Sequence, residues 1–131
     1  MKLFKRKYFY VKFYFNKIEV TNLETGETVS KTSVEKFSTK RIVIADFNSA
    51  ELLLREIIDS FKTSKNIFKN QFEVLMQQME EFEDGVSEIE KRAYRDLAEQ
   101  AGTVKVFLLL HSKKLRNEEA LSGMINNEFG Q

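Results

Sequence analysis

The chain contains no cysteine, no proline and no tryptophan among its 131 residues, and only one histidine. Without cysteine, disulfides and thiolate metal sites are excluded, while the redox compartment stays open. Without proline, the turns must rely on Gly, Asn and Asp. Long apolar runs are also missing. The longest run in the C-terminal half, residues 106–110, is far too short to span a membrane.

Positive and negative charges nearly balance, since the formal net charge is +1. No global field therefore attracts the molecule to nucleic acid, and we expect no nucleic-acid partner. The length predicts a single domain over residues 1–131. Lys12 interrupts the apolar stretch near the start, and no small-residue cleavage site follows. This pattern is unlike a signal peptide and predicts a cytoplasmic protein.

The first element that the sequence predicts is a strand rich in aromatic residues. Residues 8–15, YFYVKFYF, are rich in β-forming residues. Their alternation predicts one purely apolar face and one face that carries tyrosines and a lysine. The apolar set is Phe9, Val11, Phe13 and Phe15, and the other set is Tyr8, Tyr10, Lys12 and Tyr14. The tyrosine face is core if a helix covers it and a binding surface if none does.

Two further strands and a helix follow. Residues 18–23 and 28–34 are predicted strands, joined by a turn in which Gly26 takes positive φ. Short turns make the first three strands antiparallel. Residues 42–44 are a short strand or the lead-in to a helix. That helix is expected to begin at a capping box of Asn48 and Glu51 and to end near Lys62. Its apolar face comprises Leu53, Leu54, Ile57, Ile58 and Phe61.

The second half predicts two strands with a helix between them. Residues 72–77 and 104–110 are the strands, and residues 87–101 are the helix. Ser87 and Glu90 form a capping box, and Gly102 ends the helix. A last helix over 118–126 and frayed residues 127–131 complete the chain. The order β-β-β-α-β-α-β plus a C-terminal helix predicts an α/β fold with a five-stranded mixed sheet, since each β-α-β unit adds a parallel strand.

Two segments resemble the bacterial actin-like rod-shape-determining proteins of the MreB type. Residues 41–61, RIVIADFNSAELLLREIIDSF, resemble that family's Val-Ile-Ala-Asp-Phe run entering a helix. Residues 85–108 resemble its Gly-Val-Thr-Glu-Val-Glu-Arg-Arg-Ala helix, which runs through Ala-Gly into a strand. Both occur in the family's order. The resemblance implies a ribonuclease H-like fold of the kind used as a subdomain by actin-like ATPases.

The departures from that family lie at its nucleotide site. Its first hairpin is Asp-Leu-Gly-Thr, whose glycine lets backbone amides approach phosphate while the aspartate positions the metal. Here Lys12 replaces the aspartate and Tyr14 replaces the glycine. The family's Glu-Glu-Pro after the last strand corresponds to residues 110–112, Leu-His-Ser. The resemblance, read with these departures, implies a chain that has lost the ATPase, with no catalytic residue, metal or cofactor.

Other polar groups have simpler interpretations than catalysis. Asp46 and Glu51 are expected at a helix start, where capping explains them better than metal binding. The acidic run Glu80, Glu81, Glu83 and Asp84 lacks the spacing of a calcium loop and reads as a solvated connection. His111 and Ser112 are neighbours on a strand and point to opposite faces, which argues against a nucleophile and base pair.

The first seven residues, MKLFKRK, are basic around two apolar positions. The resembled family includes proteins that touch the inner membrane through such a segment, and clustered cations favour an anionic surface. The residues for such a membrane or partner contact are Lys2, Leu3, Phe4, Lys5, Arg6 and Lys7. The alternative is a frayed lead-in to the first strand, because seven residues make a poor helix.

Three hypotheses follow. The first is a non-catalytic MreB-like domain that works through protein contacts in cell-shape or envelope organisation. Its partner would be an actin-like filament, an envelope complex or the chain itself. The second is a ribonuclease H-like metal-dependent hydrolase. The third is a peripheral membrane structural protein at the inner face of the membrane. Fold and function are separate questions, so each hypothesis depends on the site.

Overall fold

The computed structural model describes residues 6–61 and 72–129. Within these ranges the elements alternate as the sequence predicts, three strands first and then helix, strand, helix, strand and helix. They are β1 (Lys7–Tyr14), β2 (Lys17–Asn22), β3 (Thr28–Thr32), α1 (Phe47–Ser60), β4 (Phe72–Gln78), α2 (Glu88–Ala101), β5 (Lys105–Leu109) and α3 (Asn117–Ile125). The prediction of an α/β fold with a five-stranded mixed sheet is confirmed.

The sheet has the strand order β3-β2-β1-β4-β5. β1 is antiparallel to β2, and β2 is antiparallel to β3. β4 and β5 are added parallel to β1 and to each other, as expected when helices make the connections. β1 is therefore the central strand. Lys12 on it has Glu19 of β2 as its neighbour on one side and Gln77 of β4 on the other.

The side chains of β1 alternate between two layers of core. Phe9, Val11 and Phe13 lie in the larger cluster, packed against α1 and α2. Tyr10 lies on the opposite face, in a smaller cluster that includes Met124 of α3. Both predicted faces are therefore confirmed within β1, whereas Phe15, predicted on the apolar face, follows the strand and is 40% exposed. At Tyr10 the tyrosine face is core, because α3 covers it.

The two ends of α2 form as the sequence predicts. Ser87 Oγ accepts a hydrogen bond from the Glu90 amide at 3.2 Å, and a Glu90 carboxylate oxygen accepts one from the Ser87 amide at 3.0 Å. Gly102 ends the helix with φ 95°, in the left-handed region that favours glycine. Reciprocal capping and the glycine stop satisfy backbone groups that a helix otherwise leaves unpaired.

The start of α1 differs from the sequence expectation. Asp46, rather than Asn48, is the N-cap, and its side chain accepts from the Ser49 amide at 3.2 Å. Glu51 instead pairs with Arg55 one turn later along the helix. The prediction of an Asn48 and Glu51 capping box is therefore wrong by two residues. Asp46, Asn48 and Ser49 are all good capping residues, and the packing of the preceding segment selects among them.

That difference gives a direct stability prediction. Asp46→Ala should lower the free energy of unfolding by about 1 kcal/mol, because it removes the cap. Asn48→Ala is the matched control and should change it by less than about 0.5 kcal/mol, as for other surface substitutions. Urea denaturation of both variants measures the difference. Equal losses in the two variants would contradict the assignment of Asp46 as the cap.

Other element boundaries move by a residue or two. β1 ends at Tyr14 rather than at Phe15, and α1 ends at Ser60. Residues 42–44 form no strand and lead into α1, with Val43 and Ile44 buried. The predicted end of α1 near Lys62 lies outside the described residues.

The chain after α3 is more ordered than the sequence predicts for residues 127–129. The Glu128 amide donates to the Gly123 carbonyl at 2.8 Å. The Phe129 ring meets the Phe107 ring edge-on, with their centroids 6.1 Å apart. This aromatic contact stabilises a segment that the sequence alone predicts to be frayed. No helix in the described part of the chain is long and apolar enough to cross a bilayer.

Candidate functional site at the carboxyl end of the sheet

Lys12 and Tyr14 come at the end of β1, where the carboxyl ends of the parallel strands β1, β4 and β5 meet. Ligands of open α/β sheets bind outside this edge. The question is therefore whether the groups at this edge are available to a ligand or are already used within the protein.

The Lys12 side chain is buried, with a relative exposure of 1%. Its Nζ donates to Thr21 Oγ1 at 3.1 Å and lies 3.7 Å from Glu19 Oε1. It also lies 3.9 Å from the centroid of the Tyr10 ring, within the range of a cation–π contact. The amine is thus surrounded by groups of its own chain and does not project into solvent.

Burial lowers the pKa of Lys12 to about 8 from its usual 10.5. The Glu19 carboxylate opposes this shift by favouring the charged amine, and Lys114 adds to it by like-charge repulsion. Lys114 Nζ lies 3.9 Å from the same Glu19 oxygen. Glu19 therefore sits between a buried and an exposed ammonium group.

The backbone amides of the turn after Tyr14 already donate hydrogen bonds within the protein. The Phe15 amide donates to Glu80 Oε2 at 3.0 Å, and the Asn16 amide donates to Ser38 Oγ at 2.9 Å. Asn16 itself takes φ 55°, so a non-glycine residue makes this turn. Burial raises the pKa of the Tyr14 phenol, with smaller contributions from Glu19 and Glu80. An incoming phosphate would have to compete with acceptors that these amides already have.

The buried side-chain amide of Gln77, which the sequence did not single out, bonds to the segment that follows β5. Gln77 of β4 donates through Nε2 to the carbonyls of His111 and Lys113, at 2.8 Å each. The Tyr10 hydroxyl donates to Gln77 Oε1 and accepts from the Leu115 amide at 3.1 Å. The only signal in the sequence was a polar residue near the end of a predicted strand, residues 72–77, that is mostly apolar. We call residues 111–115 the strap, since these bonds hold them across the edge.

His111 and Ser112 have separate partners. His111 Nδ1 accepts from the Lys113 amide at 3.1 Å, while Ser112 Oγ donates to Glu81 Oε2 at 3.0 Å. The geometry brings the serine to a carboxylate and not to the histidine. A serine activated by this histidine needs a hydrogen bond between them.

The carboxylates are dispersed over the molecule. Asp46 caps α1, Glu80 holds the β1–β2 turn and Glu81 holds Ser112. Over residues 6–61 and 72–129, no group of three or more His, Cys, Asp or Glu side chains could hold a metal ion. Two-metal catalysis requires such a group.

Six N-terminal residues are predicted to contact a membrane or a partner. Of these, only Arg6 and Lys7 lie in the described part of the chain, and Lys2, Leu3, Phe4 and Lys5 lie outside it. Arg6 NH1 contacts Glu73 Oε2 at 2.9 Å. The Glu73 side chain is almost fully buried, with a relative exposure of 7%. One of the predicted membrane-contact residues is therefore engaged by the sheet.

A scan against protein-family models, a search of curated proteins and a search of solved structures found no match to this chain.

Proposed function

We propose that this chain is a non-catalytic domain of the ribonuclease H-like type, related to one subdomain of the MreB-type actin-like proteins. It acts through protein contacts, in cell-shape or envelope organisation. The observation that carries the proposal is the turn after β1. At the position where the resembled family binds phosphate, this chain has a buried lysine and a turn whose amides are bonded internally.

The sheet supports the fold part of the proposal. The central β1 has an antiparallel hairpin on one side and two parallel strands on the other. The two resembling segments also fall on the elements that the resemblance assigns to them. Residues 41–61 enter and form α1, and residues 85–108 form α2 and lead into β5. Local sequence and secondary structure therefore agree for both segments.

The chemistry at the turn supports the functional part. Glycine-rich phosphate loops work because consecutive amides point at the ligand and no side chain obstructs it. In this turn the Phe15 amide is held by a carboxylate, which is itself an anion and would repel phosphate. Lys12, which takes the place of the resembled family's aspartate, is directed to Thr21 and Glu19 instead. Lys17, the cation next to the turn, lies with its Nζ 4.4 Å from the centroid of the Tyr14 ring. A lysine also cannot replace the oxygen ligands that Mg²⁺ prefers.

Calorimetric titration with Mg·ATP tests the proposal. The expected result is no saturable heat at ATP concentrations up to about 1 mM, which corresponds to a binding free energy weaker than about −4 kcal/mol. A full-length actin-like protein serves as the positive control. Magnesium-dependent binding in the micromolar range would refute the proposal.

The hydrolase hypothesis makes a different prediction for Asp46. If Asp46 were a metal ligand, Asp46→Asn would abolish metal-dependent cleavage of a nucleic-acid panel. As a helix cap, Asp46 can be replaced by asparagine with little effect, because both residues cap well. We therefore expect no cleavage by either protein and an unchanged melting temperature. Cleavage that disappears in the variant would favour the hydrolase.

A further inference from the structure

Two loops of opposite charge border the carboxyl end of the sheet. The basic loop, residues 36–41, contains Lys36, Lys40 and Arg41 and no acidic residue. The acidic loop, residues 80–84, contains four carboxylates and no cation. Lys36, Lys40, Arg41, Glu83 and Asp84 are all exposed. Within the described residues none of these five has an ion-pair partner.

An aromatic pair joins the β1–β2 turn to the acidic loop. The rings of Phe15 and Phe82 meet edge-on, with centroids 5.9 Å apart. Phe15 is 40% exposed, so part of its ring is accessible to a partner. On one side it lines a cleft of about 370 Å³ together with Lys36 and Lys40. On the other side its amide bonds to Glu80 of the acidic loop.

Both loops are held in place before any partner arrives. Asn16 Oδ1 accepts from the amides of Phe37 and Ser38, at 2.9 and 2.8 Å, which fixes the basic loop to the β1–β2 turn. Glu80 and Glu81 fix the acidic loop to Phe15 and Ser112. A surface that is already ordered loses little conformational entropy on binding.

We propose that this surface binds a second copy of the chain about a two-fold axis. Phe15 and Phe82 lie at its centre, and the basic loop of each copy faces the acidic loop of the other. A two-fold interface must be self-complementary, and a surface with opposite charges on either side of an apolar centre meets that requirement. Complementary potentials would fix the register of the two copies. The inference rests on the proposed function in one respect, since it names the protein partner as the chain itself.

Charge reversal of each loop provides the test. The basic-loop variant is Lys36→Glu with Lys40→Glu, and the acidic-loop variant is Glu83→Lys with Asp84→Lys. Among the five exposed groups without an ion-pair partner, each variant alone presents like charges across the axis, and it should sediment as a 15.4 kDa monomer. An equimolar mixture restores opposite charges at both contacts and should sediment as a species of twice that mass. The wild-type chain should dimerise alone, and less at about 0.5 M than at about 0.05 M salt.

Matched controls separate this surface from the effect of net charge. Arg92→Glu with Arg95→Glu changes the net charge by the same amount as the basic-loop variant, on the exposed side of α2. Asp96→Lys with Glu99→Lys does the same for the acidic-loop variant. Both controls should dimerise like the wild type. Phe15→Ser should remove dimerisation at every salt concentration, because it removes the apolar centre.

Three results would overturn the inference: a wild-type monomer at protein concentrations up to about 100 µM, a dimer that survives either reversal, or a mixture of the two variants that stays monomeric. Circular dichroism of each variant checks that it is folded. A monomer that does not bind ATP would refute the dimer alone. ATP binding measured by calorimetry would refute the proposed function, so the two failures are distinguishable.

Discussion

Lys12→Met is expected to stabilise the protein at pH 7 by on the order of 2 kcal/mol. The reason is that Lys12 is charged at this pH although its side chain is buried, and burial holds its pKa near 8. Methionine has a similar length and fills the same space without a charge. Glu19 keeps Lys114 as a cationic neighbour, and Thr21 keeps its hydrogen bond with Thr28. Urea denaturation at fixed pH measures the change.

The same substitution should change how stability depends on pH. Because the folded-state pKa of Lys12 lies below its ordinary 10.5, the unfolded chain binds more protons between about pH 8 and pH 10.5. The wild type should therefore gain stability as pH rises from about 8, whereas below pH 8 the cost of the buried charge is constant. Lys12→Met should lack this gain.

The pH range for comparing the stability of the wild type and Lys12→Met has an upper limit, which tyrosine ionisation sets. Burial raises the pKa of Tyr10 and Tyr94 above the ordinary 10, so these phenols lower stability once the unfolded chain begins to ionise near pH 10. Measurements from pH 7 to about pH 9.5 avoid that region. Arg92→Met removes an exposed cation from α2 that does not titrate in this range and should leave the pH dependence unchanged. If Lys12→Met destabilises the protein at pH 7 and keeps the wild-type pH dependence, the account of Lys12 is wrong.

Gln77→Leu is expected to lower the free energy of unfolding by about 2 kcal/mol and to release the strap. The substitution removes the donor to two strap carbonyls and the acceptor of the Tyr10 hydroxyl. Leaving a buried hydroxyl without its partner costs about 1–3 kcal/mol. Trypsin cleavage of the native protein after Lys113, Lys114 and Arg116 should accelerate about tenfold or more, as local opening becomes more frequent.

Two comparisons sharpen this experiment. Gln100→Leu removes an exposed amide from α2 and should leave the cleavage rate unchanged. Tyr10→Phe removes the hydroxyl that meets both Gln77 and Leu115. The double variant with Gln77→Leu should cost less than the sum of the single variants, because they share one network. Strictly additive losses with no change in cleavage would show that Gln77 does not hold the strap.

The sequence predicted the elements whose signals are local. The alternation of residues 8–15 was sufficient to predict both faces of β1, and α2 carries both of its ends in its own residues. The start of α1 could not be predicted as well, because three capping residues lie within four positions and packing selects one of them. Sequence reasoning identifies candidates for a cap, but the geometry of the chain decides which one is used.

Less of the candidate site could be predicted from the sequence, because its contacts join residues that are far apart in the chain. Gln77 meets residues that are 34 and 36 positions away, and Tyr10 meets Leu115 across 105 positions. No local pattern contains that information. The sequence placed Lys12 on the tyrosine face, but the contacts of its amine with Glu19 and Thr21 form between strands and are not visible in the sequence. The aromatic pair that joins the β1–β2 turn to the acidic loop likewise connects residues that are distant in sequence.

The most direct test of the central claim is a titration of ¹⁵N-labelled protein with Mg·ATP, followed by NMR of the backbone amides. The claim is that the turn after β1 does not bind phosphate, because Glu80 and Ser38 already accept from its amides. We predict that the Phe15 and Asn16 resonances stay in place at ATP concentrations up to about 1 mM. Saturable shifts centred on these two amides would contradict the account.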